Sequence, residues 1–175
     1  MTFNQAVSLI ERGVSSEQPQ CWADLGCGEG MFSKALSMVL PTDSMIYAID
    51  KHKQSRIRSE NEMVGIEFHQ ADFTKEIRNL PKLDGILMAN ALHFIRQKTK
   101  LIRQLEGLFA SHPKFIIVEY ERSLPNPWVP FPLKYEALVK LFNELGRYDI
   151  QKLAEVNSSY GAQKIYAALV SKLDG

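Results

Sequence analysis

The sequence has only two cysteines, almost no net charge and no long hydrophobic run. Its 175 residues include 21 lysines and arginines against 20 aspartates and glutamates, which gives a formal net charge of +1. A protein that binds nucleic acid by neutralising phosphates usually has a clear basic excess, so nucleic acid is disfavoured as a partner. No apolar stretch approaches the roughly 18 residues of a transmembrane helix, so no membrane partner is expected.

Cys21 and Cys27 lie on a predicted strand and in the tight loop that follows it, where a bridge between them would be strained. Two thiols make neither a disulfide framework nor a zinc site, and we expect no metal cofactor. A reducing, cytoplasmic compartment fits this cysteine usage best. The segment Met1 to Gly13 lacks the basic start and long apolar run of a signal peptide.

One basic cluster follows the second predicted strand: Lys51, His52, Lys53, Arg56 and Arg58. The ordinary interpretation is the solvated face of a short surface helix over Lys51 to Glu62. The alternative is a small patch that attracts an anionic substrate.

The length predicts a single domain over residues 1–175, and 45% hydrophobic residues allow a sizeable core. Apolar residues at helical spacing predict an N-terminal helix within residues 1–16 and helices over Met31–Val39, Lys98–Ala110 and about Leu133–Leu145. Short apolar runs predict strands at Cys21–Leu25, Met45–Ile49, Ile66–His69, Leu83–Met88 and Phe115–Glu119. Because strands alternate with helices and are nearly all apolar, the pattern predicts an α/β fold with a doubly wound, mostly parallel sheet.

The C-terminal part departs from this alternation. Tyr148–Glu155 and Lys164–Lys172 both have the pattern of strands, and only Val156 to Gln163 separates them. A parallel crossover needs about a dozen residues, so these strands are predicted to form an antiparallel hairpin. Such an ending is unusual for nicotinamide-binding domains.

The strongest local motif is Asp24-Leu25-Gly26-Cys27-Gly28-Glu29-Gly30, between a predicted strand and a predicted helix. Glycines there allow a tight turn and the close approach of a ligand to the backbone. A dinucleotide fingerprint, G-x-G-x-x-G, would require glycine where Met31 stands. A pyrophosphate prefers bare amides, whereas Asp24 and Glu29 suit a cationic ligand such as S-adenosylmethionine, which has an ammonium and a sulfonium but no phosphate.

Two further acids follow the next two strands. Asp50 ends the second strand, about 20 residues after the glycine loop, where a carboxylate can accept hydrogen bonds from ribose hydroxyls. Asp72 follows the third strand and precedes Phe73, so it can accept a bond from an adenine amino group while the aromatic ring packs on the base. Each acid alone is more often a surface or capping residue. Three acids, Asp24, Asp50 and Asp72, at the carboxyl ends of consecutive strands indicate one ligand site.

With these residues and the terminal hairpin, the sequence resembles the class I S-adenosylmethionine-dependent methyltransferases, especially the small-molecule group, from roughly Cys21 to Lys172. The resemblance implies a Rossmann-like seven-stranded sheet with the last strand inserted antiparallel, S-adenosylmethionine as cofactor and S-adenosylhomocysteine as product. The resemblance also implies which residues contact the cofactor. Its methionine part would lie against Gly26, Cys27, Gly28 and the backbone of Asn90, with its amino group bound by Asp24. Asp50 would bind the ribose, Asp72 the adenine amino group, and Phe73 and Lys51 would pack on the adenine ring. Lys51 departs from the family, because an apolar residue often covers the ring there; its aliphatic stem can still pack.

The methyl group of a sulfonium is already electrophilic, so the protein must chiefly align an acceptor and exclude water. His93, just past the fourth strand, is the candidate general base, and the alternative is a histidine that only shapes the pocket. Glu119 and Tyr120 close the fifth strand on the same edge. They either line the acceptor site or cap the strand.

Residues 124–146 form a candidate substrate lid, with four prolines and the aromatic residues Trp128 and Phe131 in its first part. The alternative is a rigid connection whose aromatic residues pack on the core. Asn126-Pro127-Trp128 only partly matches the Asn-Pro-Pro-aromatic motif of base-amino methyltransferases and follows the wrong strand, so methylation of nucleic-acid bases is disfavoured.

The predicted function is in-line methyl transfer from S-adenosylmethionine to a small-molecule acceptor, on oxygen, nitrogen or carbon. One alternative is an S-adenosylmethionine-binding regulatory or scaffold protein without transferase activity. A nicotinamide-dependent oxidoreductase is disfavoured by the glycine spacing and the hairpin. No pattern in the sequence indicates an oligomeric state.

Overall fold

Seven strands and four α-helices are present in the computed structural model, which describes residues 1–14, 17–54, 57–75, 77, 80–158 and 163–173. The helices are α1 (Phe3–Ile10), α2 (Met31–Val39), α3 (Lys98–Glu106) and α4 (Tyr135–Leu145). The strands are β1 (Cys21–Leu25), β2 (Met45–Asp50), β3 (Gly65–Gln70), β4 (Gly85–Ala89), β5 (Lys114–Tyr120), β6 (Tyr148–Asn157) and β7 (Lys164–Lys172). Short 3-10 helices cover Glu11–Gly13 and Leu92–Phe94.

All seven strands form one sheet in the order β3-β2-β1-β4-β5-β7-β6. The first five strands pair in parallel, and β7 lies antiparallel between β5 and β6. The predicted doubly wound sheet and its terminal hairpin are therefore confirmed. The strand order reverses between β1 and β4, and in such sheets the ligand crevice lies at this switch point, outside the carboxyl ends of the strands.

Helices cover both faces of the sheet. Successive side chains of β1 point to opposite faces, so that Trp22 packs in the core layer under α1 and α2, whereas Ala23 packs in the layer under α3 and α4. Leu36 of α2 and Phe142 of α4 are fully buried in these two layers. Two covered faces explain why the parallel strands are apolar along almost their whole length.

Local signals set the bounds of the first two helices. Thr2 Oγ1 accepts a hydrogen bond from the Gln5 amide, and Gln5 Oε1 accepts one from the Thr2 amide, which is a capping box at the start of α1. Helix α2 begins after the left-handed Gly30 and ends at Val39, before Pro41. The bounds of α2, β1 and β7 are those predicted.

The predicted surface helix over Lys51 to Glu62 was wrong, because the described residues there form only bends and turns. Side chains bind the neighbouring backbone instead: Asp50 Oδ1 accepts from the His52 amide, and Asn61 Oδ1 accepts from the Met63 amide. Such bonds compete with helical ones. Arg56 of the basic cluster lies outside the described residues.

Two predicted bounds shift for one shared reason. Leu83 and Phe109 form an isolated parallel bridge, in which the Leu83 amide donates to Leu108 and the Ala110 amide donates to Leu83. Phe109 is therefore in a bridge and not in a helix, α3 ends at Glu106, and Leu83 stands in this isolated bridge outside β4, which begins at Gly85. None of the helices in the described ranges is long and apolar enough to cross a membrane.

Candidate functional site

A cavity of about 470 Å³ opens at the carboxyl ends of the parallel strands. It is lined by residues from the loops after β1, β2, β3 and β4: Gly26, Asp50, Lys51, His52, Asp72, Phe73, Thr74, Asn90, Ala91, Phe94 and Ile95. We call it the first cavity. It lies where the reversal of strand order leads one to expect a ligand.

The glycine loop forms one wall of the first cavity. Gly26 has a left-handed backbone (φ 78°), and a Cβ there would lie 2.9 Å from Ala91 Cβ and 3.2 Å from the ring of Phe73. Gly28 is also left-handed (φ 52°), but a Cβ there would meet nothing within 4 Å. Both positions favour glycine for the backbone, and only Gly26 also requires it for space.

Gly26→Ala should therefore lower the free energy of unfolding by about 2 kcal/mol more than Gly28→Ala, because both add left-handed strain but only Gly26→Ala also overpacks. Chemical denaturation of the two variants measures the difference. Equal losses of unfolding free energy in the two variants would show that Ala91 and Phe73 can move aside without an energetic cost.

Asp24, at the end of β1, is buried beneath the glycine loop. Its Oδ2 accepts a hydrogen bond of 2.6 Å from Ser33 Oγ of α2, whereas its buried Oδ1 has no partner within the described residues. Burial raises the pKa of this carboxyl from its usual 3.8 to about 7, although the Ser33 bond opposes the rise. A buried acceptor without a donor is costly, so the site suits a cationic donor.

Asp50 and Asp72 both line the first cavity. The two carboxylate oxygens of Asp50 accept from the amides of Gly28 (3.0 Å) and His52 (2.8 Å), so Asp50 joins the glycine loop to the end of β2. Asp72 accepts from the amide and hydroxyl of Thr74, and the hydroxyl bond is the main reason that its pKa is lowered. Each oxygen of Asp50 still has a lone pair available for a ligand, and at Asp72 the available oxygen is Oδ2, because both Thr74 bonds go to Oδ1.

Asn90 directly follows β4 and has a left-handed backbone (φ 51°), which asparagine tolerates better than most residues. Its side-chain oxygen is buried without a hydrogen-bond partner in the described part of the chain. Strain and an unpaired acceptor at one residue are typical of functional positions.

A second cavity of about 310 Å³ adjoins the first and shares Asn90 and Phe94 with it. Its other lining residues come from the start of the 3-10 helix, the end of β5 and the following loop: His93, Tyr120, Pro127, Trp128 and Val129. We call it the second cavity. Trp128 stands at the tip of a tight turn that Asn126 closes by accepting from the amides of Trp128 and Val129, and it is 76% exposed.

His93 and Glu119 form a buried pair next to the second cavity. Glu119 Oε2 lies 2.6 Å from His93 Nδ1, and Glu119 Oε1 accepts a hydrogen bond of 2.9 Å from the His93 amide. The His93 carbonyl accepts in turn from the Phe131 amide, and the Phe131 carbonyl accepts from Lys98 Nζ. The loop that borders the second cavity is thus attached at Phe131.

The structure brings most of the sequence-predicted site residues together. Those in the cavity linings are Gly26, Asp50, Lys51, Asp72, Phe73, Asn90, His93, Tyr120 and Trp128. Asp24, Cys27, Gly28 and Glu119 are not among the lining residues; Cys27 packs against Ala48 and Ile57. Of the candidate lid, residues 127–129 line the second cavity, whereas Leu138 and Phe142 of α4 belong to the core.

Sequence reasoning missed five lining residues: His52, Thr74, Ala91, Phe94 and Ile95. Ala91, Phe94 and Ile95 lie within two residues of His93 in the sequence, and this proximity to a candidate residue was a usable signal. No such signal was available for Thr74, because its position depends on the conformation of the loop after β3. In the described residues, no three His, Cys, Asp or Glu side chains are grouped so that they could hold a metal ion.

The fold and cavities define a doubly wound α/β protein with a cavity at the switch point of its sheet. A family model described as "Methyltransferase domain" matches residues 22–166. The chain therefore belongs to the methyltransferase domain family. It is an S-adenosylmethionine-dependent methyltransferase, as the resemblance implied. No curated protein sequence matches the chain.

Solved structures share the fold at low sequence identity. The YcgJ protein of Bacillus subtilis superposes with a TM-score of 0.71 at 13% identity, covering 98% of this chain and 100% of that one. A methyltransferase from Aquifex aeolicus gives 0.64 at 15% identity, covering 99% and 100%. The 1,6-didemethyltoxoflavin-N1-methyltransferase of Burkholderia thailandensis, solved with its acceptor and S-adenosylhomocysteine, gives 0.68 at 15% identity, covering 98% and 78%.

Proposed function

We propose that the enzyme binds S-adenosylmethionine in the first cavity and transfers its methyl group in line to a small molecule in the second cavity, on oxygen, nitrogen or carbon. The observation that carries this proposal is that the two cavities adjoin at Asn90 and Phe94. A donor in one cavity and an acceptor in the other would then meet at their common boundary, as an in-line displacement requires.

The unpaired oxygens fit the methionine part of the cofactor. Asp24 Oδ1 and Asn90 Oδ1 are buried acceptors without donors in the described residues, and they belong to the ends of the neighbouring strands β1 and β4. An α-ammonium group has a positive charge and three hydrogen-bond donors, and it could therefore supply the donor that each of these two oxygens lacks. We propose that Asp24 holds the amino group, and that Gly26 and Gly28, with Cys27 between them, give the backbone space beside the chain of the amino acid.

The nucleoside part would be held from β2 and β3. Asp50 has lone pairs left for the ribose hydroxyls after binding the Gly28 and His52 amides. Asp72 would accept from the adenine amino group, with Phe73 and the stem of Lys51 against the ring.

When bound, the sulfonium supplies an electrophilic methyl group. The chain itself must then orient an acceptor and exclude water. Pro127, Trp128 and Val129 would cover the second cavity, and we propose this turn as the working part of the lid.

A small acceptor suits the dimensions and lining of the second cavity. Its volume of about 310 Å³ is at the lower end for ligand sites. The lining residues contain no lysine or arginine that could neutralise phosphates. We therefore propose a small molecule and not nucleic acid, with the cytoplasm as the place of action.

Calorimetry and product analysis test the proposal together. We expect wild-type enzyme to bind S-adenosylmethionine and S-adenosylhomocysteine, and to release S-adenosylhomocysteine when given the small-molecule fraction of a cell extract. Mass spectrometry should find a methyl gain in that fraction. The absence of heat with S-adenosylmethionine, or methylation confined to a nucleic-acid fraction, would contradict it.

A further inference from the structure

Both carboxylate oxygens of Glu119 contact the same residue, His93. Glu119 is fully buried in β5, and its two oxygens bind the amide and Nδ1 of His93, at 2.9 and 2.6 Å. A buried carboxylate is costly unless it is fully hydrogen-bonded. Among the described residues, both donors to this carboxylate come from His93, so the orientation of the imidazole ring is tied to this charge.

The contact determines which ring nitrogen has the proton. A carboxylate only accepts, so Nδ1 must donate, and in the neutral ring Nε2 then has the free lone pair. Nε2 makes no hydrogen bond within the described part of the chain, and His93 lines the second cavity. A proton acceptor of this kind is what a general base requires.

We propose that Glu119 is a positioning residue that holds His93 in the Nδ1–H tautomer, so that Nε2 takes a proton from the acceptor. The acceptor is accordingly a neutral, flat, mainly apolar molecule with a dissociable O–H or N–H. This inference rests on the proposed function and specifies the chemistry of its second cavity.

The lining of the second cavity supports this substrate class. The rings of Phe94, Tyr120 and Trp128 offer flat apolar surfaces, and Pro127 and Val129 add further apolar area. The polar side-chain groups among these residues are those of Asn90 and His93, the Tyr120 hydroxyl and the Trp128 indole N–H, and none of the lining residues is an acid, a lysine or an arginine. A charged acceptor would find no counter-ion there.

The step balances without a further reactant. The acceptor proton moves to His93 Nε2, and the lone pair left on oxygen or nitrogen forms the bond to the methyl carbon. The sulfur–methyl bond breaks, and its electron pair stays on sulfur, which becomes the neutral thioether of S-adenosylhomocysteine. The imidazolium is stabilised by the Glu119 carboxylate until its proton passes to solvent.

Other titratable groups face this pair from three elements. Lys98 of α3 is half-buried and interacts electrostatically with Glu119, as does Tyr166 of β7. The ring of Tyr120 lies 6.0 Å from the His93 ring, between centroids.

A purely structural role for Glu119 must be separated from this one, because Oε1 also accepts from the His93 amide within the 3-10 helix Leu92–Phe94. Glu119→Gln separates them. The glutamine oxygen can still accept from the His93 amide, whereas its NH₂ group donates to Nδ1 and favours the Nε2–H tautomer.

The test combines heteronuclear NMR of histidine-labelled full-length enzyme, at a pH of about 8, with turnover on the small-molecule extract fraction. His93 signals are assigned by their loss in His93→Gln. We expect the Nδ1–H tautomer in the wild type and a growing Nε2–H population in Glu119→Gln. The kcat of Glu119→Gln should fall about 100-fold with S-adenosylmethionine affinity unchanged, whereas Glu144→Gln, an exposed acid of α4, changes neither.

An Nε2–H tautomer in the wild type, or full kcat in Glu119→Gln despite an inverted tautomer, would overturn the inference. So would a product methylated on carbon, or a charged acceptor. If the wild type binds S-adenosylmethionine but methylates nothing, the proposed function fails. The tautomer of His93 in the wild type then still tests the positioning role of Glu119, and this measurement does not depend on whether Glu119→Gln folds.

Discussion

Asp24→Asn is expected to stabilise the free enzyme above neutral pH and, at the same time, to weaken its binding of S-adenosylmethionine. Burial raises the pKa of Asp24 from 3.8 to about 7, so the folded state holds this proton more tightly than the unfolded state does. Each pKa unit corresponds to about 1.4 kcal/mol, and the displacement therefore corresponds to roughly 4 kcal/mol.

The sign follows from linkage. Below the unfolded value of 3.8 the carboxyl is protonated in both states and costs nothing. As the pH rises from there to about 7, the unfolded state loses its proton first, so the wild type loses stability; above about 7 the full cost is present. Asparagine has no charge to bury, so the variant should gain up to roughly 4 kcal/mol over the wild type above neutral pH, and nothing below a pH of about 4.

Chemical denaturation of both proteins across this pH range measures the gain, with Asp149→Asn on the exposed edge strand β6 as the control for a lost charge. Calorimetry should show S-adenosylmethionine affinity reduced by about 10- to 150-fold, because one charge-assisted hydrogen bond is lost. Wild-type affinity should also rise with pH up to about 7, and the variant should lack this rise. Unchanged affinity for S-adenosylmethionine in Asp24→Asn would contradict the proposal that Asp24 binds the cofactor.

Asp50→Ala is expected to reduce S-adenosylmethionine affinity by about 100-fold or more. Two charge-assisted bonds to ribose hydroxyls would contribute roughly 3 kcal/mol, and that free energy corresponds to about 150-fold. The substitution also removes the acceptor of the Gly28 amide, so the glycine loop loses its link to β2. Affinity for S-adenosylhomocysteine should fall by a similar factor, because the nucleoside is the same.

Calorimetry with both ligands checks this prediction, and Asp149→Ala serves as the control because it removes an exposed acid distant from the cavities in the sheet order. Asp50→Asn separates the two effects, since its amide oxygen can still accept from Gly28. Retained affinity in Asp50→Ala would place the ribose elsewhere.

The sheet was predictable because hydrophobic patterning and connection length act locally. Cys21–Leu25 is a short apolar run next to glycines, and the segment between β6 and β7 is too short for a crossover. The edge that holds Asp50 and Asp72 follows from parallel pairing alone. These features need no knowledge of side-chain contacts.

Long-range contacts were not predictable in the same way. His93 and Glu119 were separate candidates, and nothing in a sequence separation of 26 residues shows that one would occupy the whole carboxylate of the other. The pairing of Leu83 with Phe109 likewise overrides the helical pattern that runs on to Ala110. The Lys51 to Glu62 stretch had no apolar periodicity, so its assignment rested on polarity alone, and local side-chain bonds decided it.

The attachment of Phe131 has a consequence for which acceptors the enzyme admits. The amide of Phe131 donates to His93 and its carbonyl accepts from Lys98, so the turn that presents Trp128 is joined to the residue whose ring lines the second cavity. An acceptor too bulky for this space would have to push the turn outward and would displace the imidazole with it. If the acceptor binds in the second cavity, as we propose, its selection by size and the alignment of the imidazole depend on the same contacts, and substitutions in residues 127–129 that enlarge the cavity are expected to weaken both.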